Sequence, residues 1–327
     1  MEKILRSQVI SVCLLIGFCL TFSFSSQGFC QPSSPTQLTL MLDWFPNADH
    51  VPIYVARDKG FFKGMNLDVE LLIPANPNDP PKLVAVRKVD FGISYQPSVT
   101  VARSQGLPIR AIGVLIEHPL STITFLKASG IRTPPDLKGK RIGYSTAPTE
   151  VILFEAVAQS AGLTKDDYEL INVSFNLTPS LLTGKVDAVV GAFRNYEINE
   201  LALEGVEAGF FPIENHGVPD YYELVFITSD EMLEKRRQVA KKFIIAIDEA
   251  IQFTKQYPER ALEIYFRANP NVRKDLDAMA FRDTLSVFAP SQTQSPKKWK
   301  DFMEFAFERG LIQKKPIPET LYDNLIK

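Results

Sequence analysis

The tripeptide Lys-Val-Asp occurs twice, as Lys88-Val89-Asp90 and Lys185-Val186-Asp187, and each copy opens an apolar run, Phe91-Gly92-Ile93 or Ala188-Val189-Val190-Gly191. Walking back from each copy gives the same order of elements, and such internal repetition constrains the fold more than any single residue does. In the first half Leu38, Leu40 and Leu42 alternate as a strand. The loop Asp43-Trp44-Phe45-Pro46-Asn47 follows, and a helix is expected from an N-cap at Asp49 through Tyr54 and Ala56 to Gly60. Residues 67–73 read as the next strand, and a helix beyond Pro81 leads to the Lys88 strand. In the second half residues 140–144 read as a strand, Ser145-Thr146-Ala147-Pro148 as a loop, residues 149–160 as a helix stopped by Gly162, and residues 168–173 as a strand. A short helix from Pro179 leads to the Lys185 strand. Strands alternating with helices at this spacing make parallel βαβ units, so two copies predict two α/β lobes.

Two extended runs, Ser121 to Leu126 and Glu223 to Thr228, are expected to join the lobes. Beyond Ser229 the apolar periodicity through Val239, Phe243 and Ile244, and again through Phe302 and Phe305, reads as helices returning to cover the first lobe. The expected division is residues 34–120 with 224–327 as lobe 1 and residues 121–223 as lobe 2. Two crossings make a hinge, and a hinge between α/β lobes makes a cleft. The 327-residue length accommodates two domains.

Residues 1–31 read as a signal peptide. Lys3 and Arg6 form a basic start, Val9 to Phe24 is apolar and uncharged, and the small residues Ser25, Ser26 and Gly28 precede a cleavage point expected near residues 28–31. The apolar run of 16 residues is shorter than the roughly 20 that span a bilayer, which argues against the alternative of a membrane anchor. Cys13, Cys19 and Cys30 all lie in or beside this leader, so an exported, periplasmic chain would rely on its core without disulfides. A lipid anchor at Cys30 is disfavoured by the large Phe29 before it. The formal charge of −2 gives no basic footprint for nucleic acid. His50, His118 and His216 are scattered without metal-ligand spacing, and neither a Gly-x-Ser-x-Gly elbow nor a phosphate-cradling loop is present. No catalytic group, metal or cofactor is therefore expected, and the chain is expected to act as a monomer.

In open parallel sheets, ligands sit outside the carboxyl ends of the strands. That rule selects the loops at 43–49, 94–98, 145–150 and 193–197, which carry Trp44, Phe45 and Asn47, then Tyr95 and Gln96, then Ser145 and Thr146, then Phe193, Asn195, Tyr196 and Glu197. Arg194 is the one fixed positive charge. A dianion would normally meet more guanidinium or lysine. A flat heteroaromatic base suits aromatic planes, amides and a carboxylate better, its stacking being worth about 0.5–1.5 kcal/mol beyond area burial. Each residue keeps a plainer reading: Trp44 beside Pro46 as a plug, Tyr95 as a strand-end aromatic, Glu197 as a solvated first-turn residue favoured by the helix dipole. His50 reads as structural.

The stretch Leu42-Asp43-Trp44-Phe45-Pro46-Asn47, with His50 and Tyr54-Val55-Ala56-Arg57-Asp58-Lys59-Gly60-Phe61-Phe62, resembles the thiamine pyrimidine synthase/ThiY-like family. Phe91-Gly92-Ile93-Ser94-Tyr95-Gln96-Pro97 and Asp220-Tyr221-Tyr222-Glu223-Leu224 resemble its ThiY-type, pyrimidine-binding branch. The resemblance implies a type II periplasmic-binding-protein fold and delivery of an aminopyrimidine, of formylaminopyrimidine or hydroxymethylpyrimidine type, to an ABC transporter permease for thiamine salvage. It further implies Trp44 and Phe193 as stacking planes, Glu197 as partner of the aminopyrimidine edge, and Asn47 and Tyr95 as lining; Asn195 joins them as an amide of the same loop. At Phe193 and Arg194 the chain departs from the tyrosine and tryptophan usual in the family. The synthase branch consumes a histidine and a PLP-binding lysine of its own and carries a cysteine-rich motif. Aligned on Lys88-Val89-Asp90, the lysine position holds Ser94 and the histidine position Ser98, and residues 214–222 contain no cysteine. A binder rather than an enzyme is expected. The alternatives are an alkylsulfonate or flavin binder on the same fold, and the synthase.

Overall fold

The computed structural model describes residues 34–326. The expected signal peptide, its cleavage point and Cys30 lie outside the described residues. Ten strands form two five-stranded sheets. The first half supplies β1 (Thr36–Met41), β2 (Leu67–Leu72), β3 (Phe91–Ser94) and β4 (Ile109–Ile116); the second supplies β5 (Ser121–Leu126), β6 (Lys140–Tyr144), β7 (Tyr168–Asn172), β8 (Ala188–Phe193) and β9 (Ala208–Pro212), before β10 (Leu224–Ser229). The sheet orders are β2-β1-β3-β10-β4 and β7-β6-β8-β5-β9. In each, three strands are parallel, and the strand beside them, β10 or β5, runs antiparallel to both its neighbours. Each antiparallel strand is the first to form after the chain crosses between the sheets, so the type II periplasmic-binding-protein architecture follows from two crossings.

The repeated tripeptide has a physical reason. Asp90 accepts hydrogen bonds from the Thr39 backbone N–H (2.9 Å) and hydroxyl (3.2 Å), tying the start of β3 to β1. Asp187 accepts from the Arg141 backbone N–H (2.8 Å) and its guanidinium, tying the start of β8 to β6. Each aspartate thus fixes the register of a parallel pair at its entry.

The helices are α1 (Val51–Asp58), α2 (Phe61–Gly64), α3 (Asp79–Ala85), α4 (Gln96–Ser104), α5 (Thr149–Ser160), α6 (Leu177–Leu182), α7 (Glu197–Leu203), α8 (Asp230–Lys235), α9 (Arg237–Gln256), α10 (Pro258–Ala268), α11 (Lys274–Thr284) and α12 (Pro296–Glu308). The long α9 buries Ala240, Phe243, Ile244, Ile247, Ala250 and Ile251 along one face, the three-and-four spacing of an amphipathic helix. Phe243 stacks on Phe91 of the first sheet at 4.1 Å between centroids and on Phe62 at 5.5 Å. The C-terminal helices therefore cover the first sheet. Among the described residues no helix is long and apolar enough to cross a membrane.

The expected N-cap at Asp49 is corrected to Asn47. A 3₁₀ turn, Ala48–His50, precedes α1, and the Asn47 side chain accepts from the Asp49 N–H at 2.9 Å. Asp49 is instead buried and turned inward.

Where the chain crosses, Glu223 joins the two passes: its carboxylate accepts the Leu120 N–H (2.6 Å) and the Ser121 N–H (2.8 Å). Arg194 braces the same place through the Pro119 carbonyl (2.9 Å) and Glu214 (2.6 Å).

Candidate functional site

The carboxyl ends of β1, β3, β6 and β8 face one another across the two lobes, as the strand-end rule requires. Between them lies a cavity lined by Asp43, Trp44, Asn47 and Tyr95 beside the first sheet and by Glu150, Leu177, Gly191, Phe193, Tyr196 and Glu197 beside the second. The lobes interlock around it. Trp44 packs against the apolar cluster of lobe 2 that includes Leu177, and Phe193 and Tyr196 pack against the core of lobe 1. Phe175 meets Trp44 edge-on and Phe45 at a tilt, both at 4.6 Å. Tyr95 meets Phe193 edge-on at 6.5 Å, which fixes the plane of the Phe193 ring.

Lobe 1 holds its polar groups by a relay. The Asn47 N–H donates to His50 Nδ1 at 3.3 Å, so the ring proton is assigned to Nε2, which donates to Asp43 Oδ1 at 2.9 Å. The Tyr95 hydroxyl donates to Asp43 Oδ2 at 2.9 Å. Asp43 is thus occupied on both oxygens, and His50 is a fully buried structural group. Burial, followed by the charge of Asp43, raises the Tyr95 phenol well above its ordinary range, so it stays a hydrogen-bond donor.

Lobe 2 presents two buried carboxyls. Glu197, the first residue of α7, accepts the Phe193 N–H on Oε2 at 2.7 Å; burial pushes it up to about 8. Glu150, in the first turn of α5, accepts the Ser145 N–H at 2.6 Å and the Thr146 N–H at 3.1 Å; burial pushes it up to about 7. Room for Glu150 depends on Gly191, whose φ of +93° suits glycine and where a Cβ would collide with the Glu150 carboxylate. Among the described residues no lysine or arginine lines the cavity. A buried acid held near neutral pH ionises readily against a donor or cation and resists an anion. Among the described residues no group of metal-ligating side chains converges.

A family model described as NMT1/THI5 like matches residues 47–261. The chain belongs to the NMT1/THI5-like family. It is 42% identical over 281 residues to a Haemophilus influenzae protein named for thiamine biosynthesis, covering 85% of this chain and 88% of that one. It is 27% identical to the formylaminopyrimidine-binding protein of Halalkalibacterium halodurans, covering 96% and 98%. It is also 28% identical to the 4-amino-5-hydroxymethyl-2-methylpyrimidine phosphate synthase of Candida albicans, covering 87% of each. Among solved structures, the alkanesulfonate-binding protein SsuA of Xanthomonas axonopodis pv. citri superposes with a TM-score of 0.69 over 89% of this chain and 99% of that one, at 16% identity. That likeness concerns the fold.

In this NMT1/THI5-like chain, Trp44, Asn47, Tyr95, Phe193 and Glu197 meet at the cavity. Asn195 does not: its amide donates to Asp49 and Thr284, both at 2.7 Å. Arg194 turns to the crossing rather than the cavity. Ser145 and Thr146 contribute backbone N–H groups that hold Glu150. The sequence reading missed Glu150, although it stands in the first turn of a helix after a strand-end loop, the same setting that singled out Glu197. It also missed Leu177 and Gly191, whereas Tyr196, named with its loop, lines the cavity. Ser98 hydrogen-bonds Thr149 at 2.9 Å, and Ser94 is buried beside an adjoining cleft.

Proposed function

We propose that this chain is a solute-binding protein that captures a thiamine-related aminopyrimidine, of formylaminopyrimidine or hydroxymethylpyrimidine type, and delivers it to an ABC transporter permease for thiamine salvage. The observation that carries this is the cavity itself: aromatic planes from both lobes around three buried carboxyls, Asp43, Glu150 and Glu197, with no cation among the described lining residues. A 4-aminopyrimidine offers an amine donor beside a basic ring nitrogen. Glu197 accepts from the amine and favours a protonated ring nitrogen, a charge-assisted pair roughly twice as strong as a neutral one. Trp44 and Phe193 supply the stacking faces, Asn47 and Tyr95 polar edges, and Glu150 a second acid. The lobes, divided at 120/121 and 223/224, close about the crossings braced by Glu223 and Arg194. The leader exports the protein to the periplasm.

The same lining disfavours a sulfonate, which would meet three acids and no cation among the described lining residues. Synthase chemistry is disfavoured because Ser94 and Ser98 stand where the consumed lysine and histidine would be. Calorimetric titration tests the reading: formylaminopyrimidine should bind and an alkanesulfonate should not, and the reverse order would refute it. Incubation with PLP, iron and oxygen should yield no pyrimidine; formation of hydroxymethylpyrimidine would make the chain an enzyme.

A further inference from the structure

We infer that Asn195 is a positioning residue that clasps the two lobes and so sets the spacing between Trp44 and Glu197. This deepens the binding-protein reading and rests on it. Asn195 follows β8 in lobe 2, two residues before Glu197, and is 2% exposed. Its Nδ2 donates to Asp49 Oδ1 and meets Thr284 Oγ1, each at 2.7 Å, and both partners belong to lobe 1. Thr284, at the end of α11, lies 2.9 Å from the same Asp49 oxygen. Asp49 and Thr284 are 1% and 0% exposed, so the three groups form a water-excluded knot. Asp49 is in turn joined through its N–H to the side chain of Asn47, next to Trp44 in the cavity wall. One short chain of bonds therefore runs from the carboxyl side of the cavity to its aromatic side.

The seam continues outward along α7 and α11. Asn199 donates to Asp283 at 2.8 Å, and Arg273 pairs with Glu204 at 2.8 Å. Those contacts are exposed and individually weak. The buried knot is different, because a buried polar group parted from its partner loses the full hydrogen bond unless water replaces it. Opening the lobes hydrates Asn195 and Asp49 together, so the knot acts as an all-or-none contact of the closed state. Because it uses the protein's own atoms, it acts with or without ligand.

The test is the distance between spin labels on exposed Lys274 and Glu207, either side of this seam, in a chain whose Cys13, Cys19 and Cys30 are serine. The wild type should populate a short separation without ligand. Asn195→Ala and Thr284→Val should lower the closed-to-open ratio roughly tenfold, the low end for losing a hydrogen bond to a charged group. They should raise the off-rate of formylaminopyrimidine by the same factor. Asn195→Asp, which sets two carboxyls face to face, should open the lobes; adding Asp49→Asn reverses donor and acceptor and should close them again. Thr284→Ser keeps the hydroxyl and should behave as wild type. A general loss of packing would not be repaired by the reversed pair. A wild type found only at the long separation, label distances unchanged in Asn195→Ala, or a reversed pair as open as Asn195→Asp would each overturn the clasp. If formylaminopyrimidine does not bind, the ligand reading fails alone, since the ligand-free distances still report the clasp.

Discussion

The two lobes share a scaffold and differ in chemistry. Both sheets have the same order, and both use the aspartate of Lys-Val-Asp to tie the third strand to the first. Yet the loop after β1 carries an aromatic pair and Asp43, whose carboxyl is held by His50 and Tyr95, whereas the loops after β6 and β8 lead into helices whose first turns bury Glu150 and Glu197. The acid of lobe 1 is thus occupied on both oxygens, whereas in lobe 2 the backbone N–H groups meet Oε2 of each glutamate. A duplicated frame says where a cleft forms; only the loops say what enters it.

The sharpest way to break this contrast is in lobe 2. Gly191→Ala forces a left-handed backbone on a residue with a Cβ, costing roughly 1–2 kcal/mol. It also drives Glu150 out of its seat, an overpacking penalty of roughly 1–3 kcal/mol. Denaturant melts should show a combined loss of roughly 2–5 kcal/mol, with pyrimidine binding lost as well. A melt like that of the wild type would mean that Glu150 has another place to go.

The shared scaffold predicts the opposite pattern. Asp90→Ala and Asp187→Ala each leave a strand-entry N–H without its acceptor, so each should destabilise by roughly 1–2 kcal/mol. The two losses should be similar, and affinity at the cleft should be unchanged within error. A large affinity loss from either would show that the frame and the site are not separable.

A smaller effect separates the lobes by pH. A carboxyl whose folded pKa is raised gives stability that is complete below its unfolded value and is lost as pH rises through the folded one. For Asp49 and Asp277 of lobe 1, both pushed to about 6 chiefly by burial, that window closes near pH 6. For Glu150 and Glu223 it extends to about 7 and for Glu197 to about 8. The melting temperature of the ligand-free protein should therefore fall between pH 6 and 8, and Glu197→Gln should flatten that fall. An unchanged slope in Glu197→Gln would mean the group is ionised already.

Most of the frame was legible because periodicity reports burial. The helix Thr149–Ser160 and the strands Ser121–Leu126 and Lys140–Tyr144 stand where their apolar patterns place them. The misses share a cause, which is that a sequence shows a side chain's type and not its direction. Asn195 looked like a ligand amide and faces the opposite lobe; Asp49 looked like an exposed cap and is buried. Ser145 and Thr146, named for the 145–150 loop, hold Glu150 through their backbone N–H groups. Phe175 was invisible because its role depends on a partner in the other lobe. Gly191 matters through a positive φ, which no periodicity encodes.

The account stands on Glu197 meeting the amine edge of a pyrimidine, and a thermodynamic cycle measures that contact directly. Formylaminopyrimidine and its analogue lacking the ring amine are titrated calorimetrically into wild type and Glu197→Gln, with thermal melts confirming that both proteins are folded. A real contact gives a coupling of roughly 1.5–3 kcal/mol, the range for a hydrogen bond to a charged group, so that each change removes most of what the other would remove. A coupling near zero, with Glu197→Gln binding formylaminopyrimidine as tightly as wild type, would contradict it and leave Glu197 a buried structural acid.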